Sequence, residues 1–256
     1  FHDFCQDISQ RWPATMTTLS THDTKRSVDV RSRLSTLTEF PKEWEHCVTQ
    51  LRAASADQLG ELVDGAMELF LWQTLAGTWQ LDGTLSGAGA ISEERLLAYL
   101  TKAMREAKEH TSWTDPDEMY EEAVLSLASH ALTDADCRKA LDEFTGHVKE
   151  AVRNNVLGQR LIQLTMPGVP DVYQGCELVD LSLVDPDNRR PVDFAARREL
   201  LSGLDGAGPE SLDEEALLVT STALRLRREH PEAFRGPEAE YQPIATTTGH
   251  VVSFAR

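Results

Sequence analysis

ATMTTLSTHDTKRS, residues 14–27, holds the strongest clue to the architecture. Residues 14–20 are rich in β-branched side chains and read as a short buried strand. His22, Asp23, Lys25 and Arg26 follow at its end, and from about residue 26 to 37 the polar pattern turns helical. The other segment of this kind is GVPDVYQG, residues 168–175, which is short, apolar and bounded by glycine. The two strand candidates stand roughly 150 residues apart with helical patterns between them, and two lone strands do not make a stable sheet. They make sense as neighbours in a larger parallel barrel, separated by an unusually long helical insertion. The fold expectation is therefore a mainly α chain carrying a fragment of a (β/α)8 barrel.

Working outward, residues 42–76 are apolar at helical spacing (Leu59, Leu62, Val63, Ala66, Leu69, Phe70), with Trp72 and Trp79 near the end. Residues 81–90, LDGTLSGAGA, form a Gly-rich stretch without a phosphate-binding signature and read as a linker. A helix is expected over about 92–109. In TDPDE, Asp115 is placed to cap another helix, with Pro116 at its first position and Glu118 closing a capping box. Thr133 and Asp136 repeat that logic for a long helix that Pro167-Gly168 stops. LVDPDNRRPVDF reads as a loop because Pro186 and Pro191 exclude regular structure, and a last helix spans about 212–229. FHDFCQDISQ at the start shows no clear element. A strand from about residue 250 ends the chain, which is expected to be an excerpt of a longer protein.

The formal charge of −17 disfavours a nucleic-acid partner, whose phosphates it would repel, and suits a neutral substrate. No run of apolar residues is long enough for a membrane span. Cys5, Cys47, Cys137 and Cys176 are widely separated, so reduced thiols in a cytoplasmic setting are expected rather than disulfides or zinc. The histidines lack metal-ligand spacing, and no metal or cofactor is expected.

Three constellations offer chemistry. His22-Asp23 at a strand end is where a barrel carries catalytic carboxylates, although an aspartate there equally caps the next helix. Asp187, Asn188, Arg189 and Arg190 supply acceptors and forked donors suited to a polyhydroxylated ligand, or to a loop held by its own Asp–Arg pairs. Tyr173-Gln174 pairs an aromatic with an amide, fit for a sugar or for the core. Trp72, Trp79 and Trp113 are either sugar platforms or, as their helical context favours, core residues.

STHDTKRS (20–27), REAKEHTSW (105–113), GVPDVYQGCELVDLSLVDPDNRRPVDF (168–194) and HVVSFAR (250–256) together resemble the maltooligosyl trehalose synthases, a family of the α-amylase-type glycoside hydrolase clan. The clan patterns agree: His22-Asp23 matches the strand-seven signature, and Gly168, Pro170, Tyr173, Gly175 and Glu177 match strand eight. The resemblance implies strand seven and its helix in residues 1–37, a helical insertion over 38–145, and barrel helix seven, strand eight and a final helix over 146–235. A C-terminal β-domain would open at 236–256. One departure stands, since the family usually carries Glu where this chain has Val28.

The implied activity rearranges the terminal α-1,4 bond of a maltooligosaccharide into an α,α-1,1 trehalose unit by intramolecular transglycosylation. Retention of configuration requires a double displacement through a covalent glycosyl-enzyme. In the clan, the nucleophile and acid stand on strands four and five, upstream of Phe1. Asp23 matches the third, supporting carboxylate. His22, Lys25, Arg26, Tyr173, Asp187, Asn188, Arg189 and Arg190 are the implied substrate contacts. A functional link to a trehalose-releasing hydrolase is also implied. The alternatives are another hydrolase or glucanotransferase of the clan, or a non-catalytic helical interaction module.

Overall fold

The computed structural model describes residues 1–80, 91–204, 206, 208–236 and 238–256. The glycine-rich linker expected at 81–90 lies outside the described residues. Along the chain run α1 (His2–Arg11), β1 (Met16–Thr18), α2 (Val28–Glu39), α3 (Pro41–Ala54), α4 (Gly65–Thr78), α5 (Glu93–Ala107), α6 (Glu118–Thr133) and α7 (Ala135–Thr165). Then follow β2 (Val169–Asp171), a 3-10 turn at Asp187–Arg189, α8 (Phe194–Leu204), α9 (Leu212–Glu229), α10 (Pro231–Phe234), β3 (Gln242–Pro243) and β4 (Phe254–Ala255). The chain divides into two compact units: 1–21 with 156–179 and 192–256, and 22–155 with 180–191.

In the first unit the two distant strands meet. β1 and β2 pair in parallel, with Met16 opposite Val169, Thr17 opposite Pro170 and Thr18 opposite Asp171. Parallel strands need a long crossover rather than a hairpin, which the intervening helices supply. Gln163 on α7 ties the pair together, its amide donating to the carbonyls of Thr17 (2.9 Å) and Asp171 (3.2 Å). Arg227 of α9 donates to the carbonyls of Leu164 (3.0 Å) and Gly168 (2.5 Å), satisfying acceptors that the end of α7 leaves open. Cys5, Ile8, Met166 and Tyr241 pack together with Ile162 and Phe254, so α1 is held by its buried face. β3 and β4 pair antiparallel.

Gly168 makes the strand pairing possible. Its φ is +108°, and an added Cβ would lie 2.8 Å from the Thr15 carbonyl oxygen and 3.0 Å from Thr17 Cγ2. That carbonyl is the acceptor for the Val169 amide at 2.8 Å, so it cannot move without breaking the first rung of the ladder. Gly168→Ala is expected to cost roughly 2 kcal/mol from the disallowed backbone conformation alone. Urea unfolding would measure it, and an unchanged midpoint would contradict the stated strain.

The second unit is a helical body around Trp72, Leu71, Leu75, Leu96, Leu100, Leu127 and Leu141, each fully buried. Trp72 donates its indole N–H to Glu68 (3.0 Å), and Trp79 donates to Asp142 (2.7 Å), so both are core residues with a polar handle. Gly77 lets α4 approach α2, because a Cβ there would lie 2.9 Å from Val30 Cγ1.

Several expectations are corrected. FHDFCQDISQ is helical, since Cys5 and Ile8 give it a buried face that a short polar sequence conceals. The segment 42–76 is two helices, broken between Ala54 and Gly65 where Asp64 caps α4 by accepting the amides of Ala66 (2.8 Å) and Met67 (3.0 Å). Asp117, not Asp115, caps α6, because Ser112 and Thr111 engage the amides of Asp115 (3.0 Å) and Asp117 (3.0 Å) in a turn that delays the helix. Asp134, between Thr133 and Asp136, caps α7 through the amides of Asp136 and Cys137. Helix α8 begins inside the expected loop. The two strands are not buried: Met16 is 71% and Val169 44% exposed.

Candidate functional site

The site is built in the second unit, where residues 22–27 lead into α2 and residues 180–191 run beside them. Ser27 donates its amide to Ser182 O (3.0 Å) and its hydroxyl to Asp180 O (2.5 Å), and Arg26 forms an isolated bridge with Leu183. Asp180 in turn donates its amide to buried Asp29 at 2.7 Å. These rungs fix the backbone that follows the turn carrying His22 and Asp23.

The Asn188 amide donates to the His22 carbonyl at 2.9 Å, so one member of the 187–190 group directly holds the His-Asp turn. His22 and Asp23 side chains stay exposed, Asp23 at 70%. Lys25 Nζ lies 3.2 Å from Asp23 Oδ1. Its hydrogen bond and charge, with lesser help from His22 and Lys102, hold the Asp23 carboxyl below the usual carboxylate range despite a small opposing effect of burial. The same bond with Asp23 pushes the Lys25 ammonium upward. Asp23 is therefore an anion at neutral pH, able to accept hydroxyl donors.

Arg26 donates to Thr74 Oγ1 (2.9 Å) and sits 4.8 Å over the Phe70 ring, which stacks on Tyr99 at 5.8 Å. Val28, where the resembling family usually has Glu, is buried at the start of α2. Lys25 and Arg26 are placed here by Asp23, Glu106, Thr74 and Phe70.

Asp187 is largely spoken for by protein groups. Arg95 grips it bidentately at 2.6 and 2.8 Å, Leu183 donates its amide at 2.7 Å, and Arg190 Nε lies 3.1 Å away. Burial works to raise the Asp187 carboxyl, but the Arg95 hydrogen bonds, the Leu183 amide and both guanidinium charges outweigh it and keep it low. Arg190 also donates to the Asp187 carbonyl (2.9 Å) and the Ser182 hydroxyl (3.3 Å). Arg189 pairs with Asp185 at 2.7 Å and is exposed. Tyr173 belongs to the first unit, half-buried just past β2, where Arg197 fixes the following turn through the Gly175 carbonyl (2.9 Å) and Glu177 (3.1 Å). Trp113 is 57% exposed, with the Arg105 guanidinium 5.0 Å over its ring.

The residues that sequence reading missed come from α5. Arg95, Lys102 and Glu106 reach Asp187, the Asp185 carbonyl (2.6 Å) and Lys25 (3.5 Å) respectively. With Tyr99 they recur at i, i+4, i+7 and i+11, a single helix face adjoining the apolar stripe. That periodic polar face was the available signal. Elsewhere in the unit, His130, Asp134 and Cys137 place ligand atoms within 4.8 Å of one another, yet each has a local partner in Ala54 O, the α7 amides or Ser55.

No family model matches the chain. Over 259 residues it is 40% identical to a putative maltooligosyl trehalose synthase of Mycobacterium tuberculosis (strain H37Rv), a match covering all of this chain and 31% of that protein. The solved maltooligosyltrehalose synthase of Arthrobacter ramosus is 41% identical with a TM-score of 0.85, again over 100% of this chain and 32% of its own. A hypothetical maltooligosyl trehalose synthase of Sulfolobus tokodaii is 32% identical with a TM-score of 0.77, over 93% of this chain and 31% of its own. The chain is thus similar from end to end to maltooligosyl trehalose synthases and spans about a third of their length.

Proposed function

We propose that this chain is part of a maltooligosyl trehalose synthase and supplies one wall of its sugar-cleavage site. The observation that carries this reading is the gathering of His22, Asp23, Lys25 and Arg26 with residues 187–190 in one compact unit. On this reading, β1 and β2 are strands seven and eight of a (β/α)8 barrel, residues 38–145 are the helical insertion, and 236–256 open a β-domain. The parallel register and the exposed Met16 and Val169 support the barrel, because such a pair needs neighbours to cover it.

The reaction assigned is an intramolecular transglycosylation of a maltooligosaccharide. A carboxylate nucleophile displaces the glucosyl leaving group, a carboxylic acid protonates the departing oxygen, and the released glucose returns through its anomeric hydroxyl. Both carboxyls are assigned to other strands of the barrel, outside these 256 residues. Asp23 accepts hydrogen bonds from hydroxyls of the sugar at the cleavage site, and these strengthen as positive charge develops on the ring. His22 donates to the same sugar. Lys25 and Arg26 hold the freed glucose, Asn188 lines the site, and Asp187 orients Arg190, which with Arg189 grips hydroxyls. The insertion excludes water that would otherwise intercept the glycosyl-enzyme. Cys5, Cys47, Cys137 and Cys176 are buried cysteines outside any disulfide, which suits a reducing compartment, and a cytoplasmic enzyme feeding a trehalose-releasing hydrolase is part of the proposal.

The full-length protein carrying this segment is expected to convert maltopentaose into a non-reducing product of unchanged mass, while the 256 residues alone show no turnover. A persistent reducing end, followed by end-group assay, would favour a clan hydrolase or glucanotransferase instead. Turnover by the isolated chain would overturn the assignment of the two reacting carboxyls elsewhere.

A further inference from the structure

Lys25 stands between two carboxylates. Its Nζ is 3.2 Å from Asp23 Oδ1 and 3.5 Å from Glu106 Oε2. Glu106 is steadied by Lys102 (3.9 Å), whose ammonium also donates to the Asp185 carbonyl (2.6 Å). A chain of alternating charge therefore runs from Asp23 through Lys25 and Glu106 to Lys102, ending on the loop that carries Asp187.

We propose that Glu106 is a positioning residue for the Asp23–Lys25 pair, offering Lys25 a second seat so that Asp23 is free to accept glucan hydroxyls. The inference rests on the glucan reading above. The side chains of Lys25, Asp23 and Glu106 are 60%, 70% and 41% exposed, and ion pairs so open to water add little to folding. Their effect falls on the ligand. A carboxylate oxygen committed to an ammonium is a poorer acceptor for a sugar hydroxyl, and a bound glucan would strip water from both groups. An ammonium covered without a countercharge is costly, and Glu106 supplies that charge when Asp23 turns to the sugar. An ammonium has three donors and can serve both carboxylates at once.

The test uses Glu106→Gln and Glu106→Asp. With Gln, Lys25 keeps only a neutral acceptor on α5, and Asp23 alone balances its charge. In the full-length protein KM for maltopentaose should then rise about threefold or more with kcat within about twofold, since the free enzyme is stabilised in a form that must be undone. In this chain the Asp23 carboxyl, followed by its carbon-13 shift, should titrate at lower pH than in the parent, because Lys25, no longer shared with the Glu106 charge, stays on Asp23. The charges facing Asp23 and Lys25 are His22 and Lys25 from their own segment and Lys102 and Glu106 from α5, and only the last is altered. Glu106→Asp, which keeps the charge, should hold both quantities near the parent. An unchanged KM or an unmoved Asp23 titration in Glu106→Gln would overturn the proposal. If the parent left maltopentaose untouched, the glucan reading would fail, and the Asp23 titration by itself would still decide whether the seat is shared.

Discussion

Asp23→Asn is expected to lower kcat of the full-length protein on maltopentaose by at least about a hundredfold, with a much smaller change in binding. The substitution keeps the volume and one acceptor oxygen but removes the charge. A neutral amide stabilises a developing cation far less than a carboxylate does, and that difference appears only in the transition state. Folding should be unaffected, because the Asp23 side chain is 70% exposed. The parent should keep this contribution down to unusually low pH, since Lys25 holds the Asp23 carboxyl below its ordinary range and it stays ionised throughout the neutral region. Turnover within about tenfold of the parent would remove Asp23 from the catalytic machinery.

Arg95→Met is expected to have the largest effect on stability. The Arg95 and Asp187 side chains are only 15% and 10% exposed, and the pair is bidentate. Removing Arg95 leaves the buried carboxylate to Arg190 and the Leu183 amide alone, at a cost of about 3 kcal/mol. For a chain of this size that corresponds to roughly 2–4 °C in Tm for each kcal/mol. The pH dependence follows from the depressed Asp187 carboxyl: the stabilisation by Arg95 is fully present above the unfolded value of about 3.9 and is lost as pH falls through the folded value. Parent and variant should therefore differ most near neutrality and converge at acid pH, where Asp187 is protonated in both. A gap that persisted unchanged into acid would show that lost packing, not the charge, was responsible. Because Asn188 follows Asp187 and holds the His22 carbonyl, the variant should also lose turnover.

Much of this was legible in the residues. The period of the apolar positions marked most helices, and Pro167-Gly168 marked the end of α7, because proline and a left-handed glycine cannot continue a helix. His22, Asp23, Lys25 and Arg26 lie within five positions, so their proximity needs no folding to be seen. Helix α1 was hidden because its buried face is two residues, Cys5 and Ile8, and only tertiary packing makes that enough. The break between α3 and α4 was hidden because apolar spacing continues through it, and the Asp64 cap looks like any aspartate until amides converge on it.

The sequence by itself determined most of the local elements, the charge that disfavours nucleic acid, and the motifs resembling a glucan-rearranging family. Each of these is written in residue types at short spacing. Only the tertiary structure decided that strands 153 residues apart pair in parallel, and that Asn188 holds the turn before Asp23 across 166 residues. It alone brought Arg95, Lys102 and Glu106 from a distant helix to Asp187, Asp185 and Lys25. The physical reason is that such contacts depend on loop closure and on which helix face packing turns inward, and neither leaves a mark on the residues that finally touch.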